Sequence, residues 1–428
     1  MIRLIFKTLW NQRRKNGWIL IEMILVGFFL WKAIGMIFLT EYTAHISPGY
    51  SENGVFRIEL MEHQHDHDMY HAAADNDSAR MDNVRRIINT IRQCPEVTSF
   101  FVLEGSQAIP NYDNYSGVLV DIDTASYQVQ TYSEVIYDDA SIFKTYEIRD
   151  AYTGKIMEAN KTIPSDKSIY ISKCLADKYY KKANPIGKTI KIGGRDSLTR
   201  VAGVFSDVQT KKENVPDFLA ISQDKLDSTS VKGFFSLCFR IKPDVDEKTF
   251  EEHFRRDIAP RLSVGNYYMM HLQSLKEIRK GYEKVYIINR LYYNMLMSVF
   301  FLLCTFIGMV GTFWIRCNNR RGEIGIMKSM GASQSRIVWQ FLTEAWMLTT
   351  VAFLLAILWR LNVECYGDFF HVDAIYSDSP YLTYHPVTLF LIYSGLTYLV
   401  MLVIALIGTY IPVQRAAKTL PAEALRDE

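Results

Sequence analysis

The strongest constraint in this 428-residue chain is the run Leu291–Ile315, 25 residues without a charge. About 20 apolar residues cross the hydrocarbon of a bilayer as a helix. In that medium a backbone must satisfy its own hydrogen bonds. The run therefore predicts a membrane-spanning helix. Three more follow by the same reasoning: Gly17–Thr40, which carries Glu22 and Lys32; Ile337–Trp359, broken only by Glu344; and a span within the uncharged Pro386–Val413. The expected fold is an integral membrane protein of four transmembrane helices. A polar α+β domain, residues 41–283, is inserted between helices 1 and 2.

The basic residues orient these spans. Short loops rich in Lys and Arg stay on the cytoplasmic side. Residues 1–16 set Ile2, Ile5, Phe6, Leu9 and Trp10 against Arg3, Lys7, Arg13, Arg14 and Lys15, the pattern of an amphipathic helix on the inner membrane surface. Residues 316–336 hold Arg316, Arg320, Arg321, Lys328 and Arg336 against one acid, Glu323, and the tail 414–428 holds Arg415, Lys418 and Arg426. The 360–385 loop is acidic and aromatic, with Arg360 its only Lys or Arg. Both termini are thus expected in the cytoplasm and the 41–283 domain outside. Helix 2, with its extension, occupies 284–315. A cleaved signal peptide is disfavoured, because the first apolar run is long and Tyr42-Thr43-Ala44 is a poor cleavage site.

Within 41–283, strands are expected at Val55–Leu60, Val97–Leu103, Val118–Ile122, Thr189–Ile192, Thr199–Val204 and Leu237–Ile241. Helices are expected at Ser78–Gln93, Ile169–Tyr180 and Asp246–Arg261. The six cysteines show neither CxxC nor zinc spacing, so free thiols are expected. A formal net charge of +2 gives no reason to invoke nucleic acid.

Three groups of side chains attract functional readings. In the 316–336 loop Ile324, Met327 and Gly331 fall at i, i+3 and i+7, one face of a short helix. Gly331 suits a left-handed helix end and Ser333 an N-cap. Glu62-His63-Gln64-His65-Asp66-His67-Asp68, followed by His71, offers imidazoles that bind transition metals. On a continued strand His63, His65 and His67 would share a face, but a solvated loop is the simpler reading. Glu22, Lys32 and Glu344 are charges within spans, where they face protein, pair or snorkel; a structural bond from Glu344 to a neighbouring helix is favoured over a mechanistic one. Gly308, Gly311 and Gly395 offer close helix packing. No catalytic motif stands out, so the chain is not expected to be an enzyme.

The segment Arg320-Arg321-Gly-Glu323-Ile324-Gly-Ile-Met327-Lys328-Ser-Met-Gly331-Ala-Ser, followed by Ile-Val-Trp-Gln-Phe-Leu-Thr-Glu-Ala, resembles the post-helix-2 segment of MacB/FtsX-type permeases of ATP-binding-cassette transporters. The ending Tyr-Ile-Pro-Val-Gln-Arg-Ala-Ala…Pro-Ala-Glu-Ala-Leu is similar to that family's C-terminus. Ile171–Tyr180, Asn184–Thr189 and Val201–Val204 with Asp207 resemble its MacB-like periplasmic domain. The resemblance implies a coupling helix, so that Arg320, Arg321, Glu323, Ile324, Met327, Lys328 and Gly331 contact an ATPase. It further implies a two-part outer domain, placed here with the inserted part at 136–229, and a dimer of identical or related permeases in a bacterial inner membrane. Gly187-Lys188-Thr189 ends like a Walker A loop, but Lys182 stands where its first glycine belongs. ATP and Mg are therefore expected on a separate subunit, with no cofactor on this chain.

Few polar residues line the spans, which favours transmission of ATP-driven motion to the outer domain over passage of a hydrophilic solute. Expected roles are efflux or extraction of a peptide, antibiotic or lipoprotein, or FtsX-like control of cell-wall hydrolases. A periplasmic adaptor or outer-membrane protein and membrane lipids are further candidate partners. A membrane receptor and a membrane-anchored enzyme are the rivals, opposed by the lack of an output domain and of a catalytic set.

Overall fold

The computed structural model describes residues 13–104, 117–122, 125–136, 141–159, 168–181, 183–192, 198–210, 215–216, 218–366, 381 and 386–418. Most of the N-terminal amphipathic segment, most of the 360–385 loop and residues 419–428 of the tail lie outside them. The chain divides into two units: one holds residues 42–286 with 378–381, the other the remainder.

The first unit is built on a ten-stranded sheet. Its elements in chain order are β1 (Val55–Glu62), α2 (Asp77–Arg92), β2 (Val97–Glu104), β3 (Gly117–Ile122), β4 (Ala125–Ile136), α3 (Ile142–Tyr146), β5 (Ser168–Ser172), α4 (Lys173–Tyr180), β6 (Thr189–Ile192), β7 (Leu198–Phe205), β8 (Leu219–Lys225), β9 (Phe234–Ile241), α5 (Glu247–His253), β10 (Tyr267–Ser274) and α6 (Leu275–Tyr282). The label α1 belongs to the first helix of the other unit, Arg13–Ala44.

The strand order is β10-β1-β9-β2-β4-β3-β6-β7-β5-β8, and a further parallel pairing of β4 with β8 closes the last six strands into a ring. Alternation places Phe56, Ile58, Leu60, Val102, Leu237 and Phe239 in one core with Val84, Ile87, Ile88 and Ile91 of α2 and Phe250 of α5. Their neighbours Val55, Phe101, Leu103 and Cys238 join a second core with Ile142, Phe143 and Tyr146 of α3. With both faces covered, a strand reads as a near-continuous apolar run, and Phe-Phe-Val-Leu in β2 does so. α2 starts where Asn76 accepts a hydrogen bond from the Ala79 amide at 2.9 Å. α6 starts with a reciprocal capping box between Ser274 and Glu277.

The expected set of strands and helices changes here. Residues 168–172 form β5, entirely buried, and the helix begins only at Lys173; the Ile169–Tyr180 helix was too long because a buried strand lacks alternation. β4, β8 and β10 add strands beyond those expected. β3 and β4, which precede residue 136, are members of the closed ring.

Among the described residues, four helices of the second unit are long and apolar enough to cross a membrane: α1, α7 (Asn289–Asn319), α9 (Gln334–Tyr366) and α10 (Pro386–Lys418). A short helix, α8 (Arg321–Ser329), lies between α7 and α9. Met23 and Val26 of α1, Met309 and Phe313 of α7, Ile337, Phe341 and Ala345 of α9 and Met401 and Ala405 of α10 share one buried cluster. Glycine packing differs from expectation. A Cβ on Gly27 would stand 2.9 Å from that of Ala356, and one on Gly408 3.2 Å from that of Met309. Gly308 faces the Glu22 carboxylate, whereas Gly311 and Gly395 face open space.

Candidate functional site

The connection between α7 and α9 is built from two sharp turns around a nine-residue helix. Arg320, at φ −116° and ψ 21°, interrupts the helical run after Asn319. At the far end Gly331 adopts φ +87°. Its amide donates to the Lys328 carbonyl and the Ala332 amide to the Met327 carbonyl, each at 2.9 Å. This is the paired-bond stop that a left-handed glycine permits. The Ser333 hydroxyl accepts from the Arg336 amide at 3.3 Å as α9 begins.

The orientation of α8 corrects the face expected from the sequence. Ile324 is 3% exposed and belongs to the bundle core, while Ile326 is 53% and Met330 82% exposed. Glu323 and Ser329 are also exposed, as is Trp339 one turn into α9, whereas Met327 and Lys328 are half-buried. The outward apolar surface is therefore Ile326 and Met330 at i, i+4, and Ile324 is a packing residue. The side chain of Arg321 lies outside the described residues.

Arg320 is likewise engaged within the chain. Its Nε donates to Glu323 Oε2 at 2.7 Å and its Nη1 to Glu344 Oε1 at 3.1 Å. Its guanidinium stands 5.2 Å from the Phe341 ring centre. Glu344, 2% exposed, also lies 3.8 Å from Nη1 of Arg316 near the end of α7. Arg316 itself covers the Phe313 ring at 4.9 Å. Sequence reasoning saw Glu344 and Arg320 separately and gave Arg320 to an external partner; the carboxylate 24 residues further on holds it inward.

The other intramembrane charges take no part in this cluster. Glu22 is half-buried with its carboxylate against Gly308. Lys32 is exposed, so its long stem can carry the ammonium toward the interface.

The histidine segment does not gather into a ligand set. β1 ends at Glu62 and turns follow, so the shared strand face is never formed. His63 stacks flat between His67, at 4.2 Å, and Tyr268, at 4.4 Å. Stacked imidazoles aim their nitrogens along parallel planes. His65 Nε2 lies 3.6 Å from Asp75 Oδ2, and the His71 amide bonds Asn266. Among the described residues no three metal-type side chains converge. Partial burial, with His67 and His71 nearby, holds the His63 pKa below its ordinary value.

His63, His65 and Asn266 line a cavity of about 680 Å³ together with Glu62, Asp75, Arg80 and Lys232. Arg80, 3% exposed, anchors its wall by bonds to Glu62 at 2.8 Å, Asp75 at 2.6 Å and Asp77 at 3.1 Å. Sequence reasoning missed it, although the signal was there: Arg80 sits one turn before Val84 on the apolar stripe of α2.

Comparison with known proteins places these features. Residues 45–256 match the family model of the MacB-like periplasmic core domain, and residues 295–421 that of the FtsX-like permease C-terminal region. The chain is 24% identical over 287 residues to the macrolide export ATP-binding/permease protein MacB of Agrobacterium fabrum, covering 64% of this chain and 40% of that protein. It is 25% identical over 281 residues to the ABC transporter permease YknZ of Bacillus subtilis, covering 64% of this chain and 66% of that protein. The chain thus spans less than half the length of the first relative and about two thirds of the second. Among solved structures it is similar to the periplasmic region of MacB from Actinobacillus actinomycetemcomitans, with TM-score 0.33 and 14% identity over 55% of this chain and 95% of that one. It is also similar to the extracellular domain of YknZ, with TM-score 0.31 and 13% identity over 50% of this chain and 100% of that one.

Proposed function

The chain belongs to the MacB/FtsX-type permeases of ATP-binding-cassette transporters, and from that membership we propose that it transmits the motion of a separate ATPase subunit to its extracytoplasmic α+β domain. In this reading α8 is the docking helix. On the same reading it lies on the cytoplasmic side of a bacterial inner membrane, a sidedness supported by the basic residues of its loop, and both termini share that side. ATP and Mg reside on the ATPase. Two permease copies, identical or related, each present one α8. The α+β domain clamps or releases its cargo outside the membrane, an antibiotic, peptide or lipoprotein being the class to test first.

The observation that carries the proposal is the exposure of Ile326 and Met330 on a short helix bounded by two turns. A short helix fixed by a turn at each end and by a partly buried ion pair exposes two large apolar side chains in a basic loop. Such residues act as anchors when they enter a partner's pocket. Co-expression with the cognate ATPase tests it. Ile326→Asp with Met330→Asp is expected to abolish co-purification while the permease still accumulates in the membrane. An ATPase retained at wild-type stoichiometry would refute the docking assignment.

A further inference from the structure

Glu344 is the one acid between residues 337 and 359, and it is more deeply buried than either arginine it meets. A carboxylate at such a depth is costly unless it is paired. Here a single carboxylate, carried by α9, receives Arg316 from α7 and Arg320 from the junction of α7 and α8. Arg320 also lies against Phe341, one turn before Glu344, so it grips α9 through a charge and a ring.

We infer that Glu344 is the positioning residue that makes α7, α8 and α9 move as one body when α8 is displaced; the inference rests on the reading of α8 as a docking helix. The charge balance explains why one residue has this influence. Arg316, Arg320, Glu344 and Glu323 sum to zero, with Glu323 at the exposed edge and Glu344 between the two guanidiniums. Neutralising Glu344 leaves two neighbouring cations that repel each other across a poorly solvated site. Relief comes by moving Arg320 outward toward Glu323, which frees the head of α8 from α9. The outward face of Ile326 and Met330 is untouched by that change. Docking and transmission therefore separate: a partner still binds α8, but its push is spent in a loosened joint.

The test uses the full chain with its ATPase in nanodiscs. Spin labels at Met270→Cys, an exposed position on β10, report the distance between the two permease copies with and without ATP. The parent complex is expected to show an ATP-dependent shift. If it does not, or if no ATPase co-purifies, the docking reading itself fails. With that shift established, Glu344→Gln is expected to retain the ATPase and its hydrolysis but to lose the shift. A merely structural role would lower thermal stability and yield while leaving the shift of the surviving complexes intact, and that result overturns the inference. Should Glu344→Gln fail to accumulate, Arg316→Gln keeps the 3.1 Å pair of Arg320 with Glu344 and releases only α7. It is expected to reduce the shift at least twofold, and a full shift in this variant equally overturns the proposal.

Discussion

The two faces of α8 make opposite predictions for isoleucines only two residues apart. Ile324 is 3% exposed within the bundle core and Ile326 is 53% exposed. Truncating Ile324 to Ala removes three buried carbons, roughly 2.4 kcal/mol at about 0.8 kcal/mol for each methylene-sized group. An unfilled cavity adds to that, giving a total of about 2–5 kcal/mol. In a helix bundle of this size the melting temperature should fall by several degrees, since each kcal/mol moves it roughly 2–4 °C in domains of 150–250 residues. Ile326→Ala should change folding stability by less than about 0.5 kcal/mol, as surface truncations do. In the complex the ranking reverses: an anchor residue contributes about 2 kcal/mol or more to association, roughly a thirtyfold change in Kd. Thermal unfolding of the permease alone and binding of the purified ATPase, measured on both variants, separate the two effects. A stable Ile324→Ala protein with weakened ATPase binding would refute the orientation of α8 described above.

Three other outcomes follow from groups already described. Arg80→Leu removes the guanidinium that bridges Glu62 and Asp75, so the α+β domain should lose stability, seen as earlier melting of the full chain; an unchanged melting curve would show that the cavity wall does not depend on this guanidinium. Gly331→Ala forces a Cβ into φ +87° and should cost about 1–2 kcal/mol, read as weaker ATPase co-purification with normal membrane yield. Burial pushes the Cys238 thiol up to about 12 from an ordinary 9.0, so native protein should resist maleimide at this site at neutral pH and react once denatured. Because the unfolded thiol ionises first, the stability contributed by Cys238 should decline as pH rises from about 9 toward 12, checked against Cys238→Ala over the same range.

The same residues show where sequence reasoning succeeds and where it stops. The four spans were legible because the bilayer sets a length and polarity rule that needs no knowledge of neighbours. The stripe Val84, Ile87, Ile88, Ile91 of α2 was legible for a related reason, since helical periodicity is local. The ring was not, because its closure depends on β4 meeting β8 some ninety residues later in register Gln130↔Leu219. β5 failed for the complementary reason: with all five residues buried, it carries no alternation to distinguish strand from helix. The proposed docking site is the instructive case. α8 has apolar residues on two sides, Ile324 with Met327 and Ile326 with Met330, and periodicity alone gives no ground for preferring either. The choice is made by Glu344, which draws Arg320 inward at the start of the helix. Once that end is fixed, the 100° step of an α-helix turns Ile324 toward the core and carries Ile326 and Met330 outward. A charge within a span, read alone as an awkward residue to accommodate, thus decides which face of a neighbouring helix is turned outward.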